Sequence, residues 1–212
     1  MYLVGIKNKP GYFWRDFMKA CILTGSPRKN GNTAALLQPV VEELRKNSFE
    51  CETIILHDKR IEPCTACRVC QDKWTEFGCV IQDDMYPISD KILKSDLIIL
   101  TTPIYSWYAT APMKGALDRL VYGMNKYFGE KKGPAIWSGK KLALVVTCGY
   151  RAEQGADLFE EGIKRYCKHS QLSYLGMLVE RDKGYKVEFM NEDIKLRAME
   201  FTKEIINSVN TI

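Results

Sequence analysis

The chain has 212 residues, 46% of them apolar, with 31 basic against 26 acidic side chains and a formal charge of +5. This length suits one domain with a substantial core. The charge is too mild and dispersed for a nucleic-acid partner, though it suits anionic cofactors. No stretch approaches the roughly 20 apolar residues of a membrane span. Residues 1–17 lack the apolar core and small-residue cleavage site of a signal peptide. A cytoplasmic location is expected, in which the eight cysteines are reduced, metal-bound or redox-active rather than paired in structural disulfides.

In chain order, residues 1–17 show no periodicity and contain Pro10 and Gly11. Their aromatics Tyr2, Tyr12, Phe13 and Trp14 imply an N-terminal extension that packs on something, ahead of a single domain over 18–212. Ala20–Leu23 is a short apolar run suited to a buried strand. A helix is predicted from Asn32 to Lys46, with Leu37, Val40, Val41 and Leu44 on one stripe. Pro39 inside it predicts a kink or a late start. A second strand is predicted over 50–56, then a cysteine-rich segment and a helix over 85–94. Strands over 96–101 and 141–147 enclose a helix over 111–127, and Gly129–Lys140 reads as a surface flap. A helix over 153–169, a strand within 172–179 and a closing helix bearing Ile194, Ala198, Phe201 and Ile205 complete the chain. This alternation predicts a doubly wound α/β domain, with a mostly parallel sheet and helices on both faces. Ligands in such sheets sit at the C-terminal strand ends, where strand order reverses.

Four loops at those ends carry chemistry. The first, Gly25–Thr33, joins a strand to a helix N-terminus, where free N–H groups and a positive dipole end collect. Ser26, Asn30, Asn32 and Thr33 add short donors and Arg28 a fixed charge, which together favour a phosphate. It carries neither a P-loop nor a dinucleotide fingerprint, and Asn32 or Thr33 acting merely as a helix cap is the plainer alternative. The loop after the third strand runs Pro103, Ile104, Tyr105, Ser106, Trp107. Such aromatic density suits a flat apolar ligand, or else packing under neighbouring loops or in a subunit interface. After the fourth strand come Thr147, Cys148, Gly149 and Tyr150, a second pocket wall or only a tight turn.

The last loop holds Cys64-x2-Cys67-x2-Cys70-x8-Cys79. Four thiols so close together suit an iron–sulfur cluster, four-thiolate zinc or a reducible pair, with buried structural cysteines as the alternative. Cys21, Cys51 and Cys167 read as core residues. His57 and His169 have no metal-ligand spacing. Asp83 and Asp84 read as caps of the helix beginning near Met85.

Gly25–Thr33, Asp83-Asp84-Met85 after a cysteine loop, Pro103-Ile104-Tyr105 and Met113–Arg119 together resemble the flavodoxin-like NAD(P)H-dependent FMN reductase family. The resemblance is strongest to its cysteine-rich branch, which contains the iron–sulfur flavoproteins, and it covers residues 18–179. It implies a five-stranded sheet of order 2-1-3-4-5. It also implies FMN phosphate on Ser26, Arg28, Asn30, Asn32 and Thr33, and the isoalloxazine on Pro103–Trp107 with Thr147–Tyr150 as a third contact. Lys114, Asp118 and Arg119 are expected to form ion pairs. Cluster-bearing members of the family resemble one another in a shorter gap before the last cysteine, so the x8 gap counts against a [4Fe-4S] cluster on Cys64, Cys67, Cys70 and Cys79. FMN alone is the expected resident group.

The implied function is an oxidoreductase that passes electrons from NADH or NADPH through FMN to a second acceptor: quinone, flavin, metal or small molecule. No side chain is assigned a catalytic role, because the cofactor carries the chemistry. The alternative is an iron–sulfur flavoprotein that carries electrons with a ferredoxin-type partner. A non-enzymatic flavin sensor is a third reading. The family resemblance also implies a homodimer or homotetramer.

Overall fold

The computed structural model describes residues 17–210. The expected extension over 1–17 lies, apart from Phe17, outside the described residues. One sheet is formed by β1 (Met18–Thr24), β2 (Phe49–Ile55), β3 (Leu97–Pro103), β4 (Lys141–Cys148) and β5 (Ser173–Arg181). Its order is β2-β1-β3-β4-β5, and every neighbouring pair is parallel. The helices are α1 (Asn32–Lys46), α2 (Met85–Lys94), α3 (Ala111–Met124), α4 (Ala152–Gly155), α5 (Asp157–Ser170) and α6 (Glu192–Asn210). This is the expected flavodoxin-like fold. No described helix is long and apolar enough to cross a membrane.

The two-residue period of a strand sorts the core into two halves. Cys21, Leu23, Ile98, Leu100, Leu142 and Leu144 face α2, α3 and α5, meeting Ile88, Ile92, Met113, Leu117, Phe159 and Ile163. Ala20, Ile22, Leu97, Ile99, Ala143 and Val145 face α1 and α6, meeting Leu36, Val40, Leu44, Ile194, Ala198 and Ile205. Burial on both faces explains why the central strands read as unbroken apolar runs.

Three local expectations are adjusted. α1 starts at Asn32 and continues through a buried Pro39, so Pro39 does not delay it. The helix expected over 153–169 is interrupted at Ala156, whose φ of −123° separates α4 from α5. The 129–140 segment is not wholly a surface flap. It buries Trp137, whose Nε1–H donates to Asn125 Oδ1 at 2.8 Å.

The end of β1 is pinned where it meets β3. Gly25 N–H donates to Thr101 O at 2.8 Å, and Thr110 Oγ1–H donates to Gly25 O at 2.7 Å. A Cβ at residue 25 would sit 2.6 Å from Thr110 Oγ1 and 3.0 Å from Thr102 Oγ1. Gly25 thus serves close approach between β1 and the start of α3, which fixes where the following loop begins. Gly25→Ala is expected to destabilise the fold by about 1–3 kcal/mol through overpacking, read as a lower urea midpoint with an unchanged slope.

Candidate functional site

Because β1 lies between β2 and β3, the chain leaves it toward one side of the sheet and later returns on the other. The strand ends part there and open a cleft. The cleft measures about 420 Å³ and is lined by Arg28, Asn32, Pro103, Ile104, Tyr105, Thr147, Cys148, Gly149, Asp182, Gly184, Tyr185 and Val187. Three loops singled out in the sequence therefore share one space.

Its phosphate-loop wall is built by local geometry. Gly31 precedes α1, and a Cβ there would sit 2.9 Å from that of Arg28, so the tight turn needs glycine. Gly31 caps the helix with no side-chain bond, and the first turn of α1 carries no acidic residue. The α1 N-terminus is thereby left with its positive dipole uncompensated. Asn32 and Thr33 are helical residues, not the cap. Ser26 is buried and shapes the turn, its Oγ accepting Arg28 N–H at 3.3 Å. Thr33 Oγ1 is 2.7 Å from Thr147 Oγ1, which joins the α1 start to the end of β4. Asn30 is exposed and does not line the cleft.

The aromatic loop is a reversed turn. Tyr105 N–H donates to Tyr108 O at 2.8 Å, and Tyr108 N–H donates back to Tyr105 O at 3.0 Å. Ser106 and Trp107 at its tip take φ of 50° and 63°, a region normally left to Gly or Asn. Trp107 stacks on Tyr150, centroids 5.9 Å apart and planes 10° from parallel, and its Nε1–H donates to Gln154 O at 2.9 Å. Ser106, Trp107 and Tyr150 are exposed but do not line the cleft. Burial pushes the Cys148 thiol pKa up, and its Sγ–H donates to Tyr150 O at 3.2 Å. It is held as a neutral thiol. A Cβ on Gly149 would meet nothing within 4 Å, so the backbone there is open to the cleft.

The fourth wall was not anticipated. Asp182 N–H donates to Cys148 O at 2.8 Å, Gly184 N–H to Asp182 Oδ1 at 2.9 Å, and Arg181 Nε–H to Gly149 O at 3.1 Å. The Asp182-Lys183-Gly184 turn signal just past the last strand was the sequence cue for it.

The cysteine loop forms a separate centre. Cys64, Cys67, Cys70 and Cys79 all border one small cavity of about 20 Å³, closed by Ile81, Arg119, Tyr122 and Gly123. All eight cysteines are free. Among the described residues, no three Cys, His, Asp or Glu side chains converge closely enough to hold a metal ion. The frame around the thiols is tightly held. Gln71 Nε2 donates to Tyr122 O at 2.6 Å and Asn125 O at 3.2 Å, while its Oε1 accepts Phe128 N–H at 2.9 Å. Lys126 is fully buried, donating to Cys70 O at 2.9 Å, to Phe77 O at 3.3 Å and to Gly123 O. Burial lowers the Lys126 pKa and raises that of Cys70.

Arg119 and Asp83 form a buried ion pair at 2.7 Å, and Lys114 and Asp118 an exposed one at 2.6 Å, as expected of α3. Asp83 Oδ1 also accepts Met85 N–H at 3.1 Å, which caps α2, and Oδ2 accepts Glu62 N–H at 2.9 Å. Burial works against the charged form, but the Arg119 guanidinium and these N–H groups hold Asp83 below the usual carboxylate range.

Fold and strand-end cleft together define a flavodoxin-like α/β protein whose ligand site lies at the switch point. The NADPH-dependent FMN reductase family matches residues 18–160. An iron–sulfur flavoprotein of Archaeoglobus fulgidus is 32% identical over 198 residues, covering 85% of this chain and 88% of that protein. Another, from Methanosarcina thermophila, is 35% identical over 168 residues, covering 79% and 80%. Among solved structures, NAD(P)H:quinone oxidoreductase from Methanothermobacter marburgensis shares the fold. Its TM-score is 0.67 at 20% identity, over 89% of this chain and 98% of that one. The chain belongs to the NADPH-dependent FMN reductase family, in its iron–sulfur flavoprotein branch. It is accordingly an FMN-dependent oxidoreductase fed by a reduced nicotinamide.

Removing one partner of a buried pair strands the other's charge, so Asp83→Ala is expected to cost about 3–5 kcal/mol in chemical unfolding. A carboxyl with a depressed folded pKa stabilises fully above its unfolded value, near 3.9. That contribution is lost as pH falls through the folded value. Acid unfolding of the wild type should therefore show a loss of stability below about pH 4 that Asp83→Ala lacks.

Proposed function

We propose that the 420 Å³ cleft is the FMN site and that the four-cysteine cavity is the seat of an iron–sulfur cluster. The observation that carries the first half is the meeting of an uncompensated helix N-terminus and Arg28 with Pro103–Tyr105 and Thr147–Gly149 in one space. Arg28, Asn32 and the first N–H groups of α1 hold the phosphate. Pro103, Ile104 and Tyr105 flank the ring, and the open backbone of Gly149 lets it approach closely. Ser26 and Thr33 act one step back. Ser26 shapes the turn, and Thr33 ties it to Thr147. Asn30, Ser106, Trp107 and Tyr150 form the outer rim. Asp182, Gly184, Tyr185 and Val187 close the far side. When bound, FMN supplies two-electron chemistry with the nicotinamide and one- or two-electron chemistry with the acceptor.

For the cysteine loop, two observations favour a cluster over the sequence expectation of FMN alone. All four thiols border a single cavity, and two relatives covering most of the chain are called iron–sulfur flavoproteins. Four thiols are the donor type of an iron–sulfur site, and two of them lie in an anchored half of the loop. Cys70 O accepts bonds from Lys126 and Lys73, and Cys79 O accepts the Tyr86 hydroxyl. Residues 63–67, with Cys64 and Cys67, form no backbone–backbone hydrogen bond among the described residues, and Ala66 N–H instead donates to Cys64 Sγ at 3.4 Å. Bound there, a [4Fe-4S] cluster supplies one-electron transfer to a redox-protein partner or a small acceptor. The exposed rings of Tyr105, Trp107, Tyr150 and Tyr185 around the mouth favour a homo-oligomer whose neighbour covers the cleft.

Arg28→Ala is expected to weaken FMN binding by about 1.5–3 kcal/mol, the scale of a hydrogen bond to a charged group, in a fluorescence titration of apo protein. Unchanged affinity would remove the phosphate assignment. Protein isolated without oxygen should show flavin bands plus a broad iron–sulfur shoulder, with matching iron and acid-labile sulfide. Flavin bands without iron would return the cysteine loop to a structural role.

A further inference from the structure

The segment between β5 and α6 is held to the body of the protein at its ends. At one end Asp182 N–H donates to Cys148 O at 2.8 Å and Arg181 Nε–H to Gly149 O at 3.1 Å. At the other, Phe189 and Met190 pack against the core beneath α1 and α6. Between these anchors the hydrogen bonds stay within the segment. Gly184 N–H donates to Asp182 Oδ1 at 2.9 Å, and Val187 N–H to Gly184 O at 3.2 Å. The second bond closes a β-turn with Tyr185 and Lys186 at its corner. Gly184 takes a φ of 92°, which glycine adopts without strain, so the turn has a hinge at its start.

What the turn carries serves no folding role. Tyr185 lines the cleft, yet it is fully exposed (101%), so no other part of the chain covers its ring. The other rings at the mouth differ. Trp107 and Tyr150 stack on each other, and Tyr105 is half covered. Lys183 and Lys186, on either side of Tyr185, are exposed and form no ion pair among the described residues. Neighbouring charges are matched, Lys29 by Asp58 at 2.7 Å and Arg197 by Glu180 at 2.7 Å. FMN engages the other walls, its phosphate at Arg28 and the α1 start, its ring at Pro103–Tyr105 and Gly149. That leaves a bare ring and two unmatched cations on the far wall. They fit a second ligand that is both planar and anionic.

We propose that the 182–187 turn is the dinucleotide-binding element of this reductase, with Lys183 and Lys186 meeting the phosphates of the reduced nicotinamide and Tyr185 lying against one of its planar rings. This rests on the FMN reading of the cleft. The family reaction supplies a ligand of that chemistry, since a nicotinamide dinucleotide joins two planar heterocycles through phosphates. Lysine binds phosphate as a point charge, without the fixed fork that arginine imposes. Aromatic faces stack on heterocycles with little loss of conformational freedom. The placement also matches the traffic at the site. FMN stays bound, whereas the dinucleotide must enter and leave in each cycle. An exposed, hinged turn at the mouth binds such a substrate without having to open the walls that hold the flavin.

The test uses FMN-loaded protein and NADP+, the oxidised dinucleotide, so that binding is read without turnover. In calorimetric titration, Lys183→Gln with Lys186→Gln should bind NADP+ about tenfold more weakly, the scale of a lost hydrogen bond to a charged group, and Tyr185→Ala should also bind it more weakly. All variants should keep the FMN content of the wild type. Lys94→Gln with Arg165→Gln removes the same charge from exposed pairs on α2 and α5 and should bind NADP+ as the wild type does. Limited trypsin digestion gives a second readout, because Lys183 and Lys186 are cleavage sites in the turn. NADP+ should slow cleavage there, whereas FMN added to apo protein should not. Wild-type NADP+ affinity in the Lys183–Lys186 double variant would overturn the proposal. Equal weakening in the two double variants would show general charge attraction only and would overturn it as well. So would protection by FMN alone, or protection that rises with protein concentration in the absence of ligand, which would mean that a second copy covers the turn. Failure of the wild type to take up FMN would defeat the cleft reading itself, a result distinguishable because it needs neither NADP+ nor a variant.

Discussion

The constraint on which the molecule depends is the reversal of strand order at β1. β2 and β3 flank β1, so the two crossovers that leave and rejoin it run to opposite sides of the sheet. Right-handed crossovers then place α1 on one face and α2 and α3 on the other. The ends of β1, β3 and β4 are left with no helix lying across them. Everything at the cleft follows from keeping those ends open yet fixed. Gly25 allows β1 to end against Thr110, and the Thr33–Thr147 contact ties α1 to β4 across the opening. The Arg197–Glu180 pair, at 2.7 and 3.0 Å, anchors α6 beside the loop that closes the far side.

The cysteine loop solves a different problem. It is a long excursion between β2 and α2 with little regular structure, so its backbone groups need partners from elsewhere. They come from α3 and the segment after it: Lys126 donates to the carbonyls of Cys70 and Phe77 and Arg119 to those of Glu62 and Ile81, while the Gln71 side chain donates back to the carbonyls of Tyr122 and Asn125. Burying two cations would be unfavourable on its own. Here Arg119 is matched by the Asp83 carboxylate, and the Lys126 ammonium by the carbonyls of Cys70, Phe77 and Gly123.

The fold was legible because periodicity is a strong local signal. α1 and α2 begin and end where the apolar spacing and the flanking residues indicate, and β3 and β4 are buried runs that vary by a residue or two at their ends. The cleft was legible for its three walls at β1, β3 and β4, each marked by glycine, proline or aromatic residues at a strand end. Asp182, Gly184, Tyr185 and Val187 were missed because the last strand was ended at Val179, before the Asx turn that shapes them. Lys126 and Trp137 were missed for a deeper reason. A lysine at the end of an expected helix reads as solvated, and only carbonyls from three separate positions make its burial tolerable. Such partners have no sequence spacing to detect.

Backbone strain draws the same map of the molecule independently. Among the described residues, six non-glycine residues take positive φ. Ser48 follows the end of α1 and Gln171 caps α5, positions where a left-handed residue closes a helix. The other four are Ala66 and Arg68 in the cysteine loop, and Ser106 and Trp107 in the aromatic loop. Each costs of the order of 1–3 kcal/mol and persists only where its surroundings over-determine it. For Trp107 those surroundings are the Tyr150 stack and the bond to Gln154 O. For Arg68 they are the Gln71 N–H on its carbonyl at 2.9 Å and the anchored Gln71 side chain beyond. Strain that closes no helix thus lies in the two loops where the thiols and the aromatic rings stand. The reversed turn at residues 105–108 holds Tyr105 on the cleft and Trp107 on the rim, two orientations that a relaxed turn would not give to neighbouring rings.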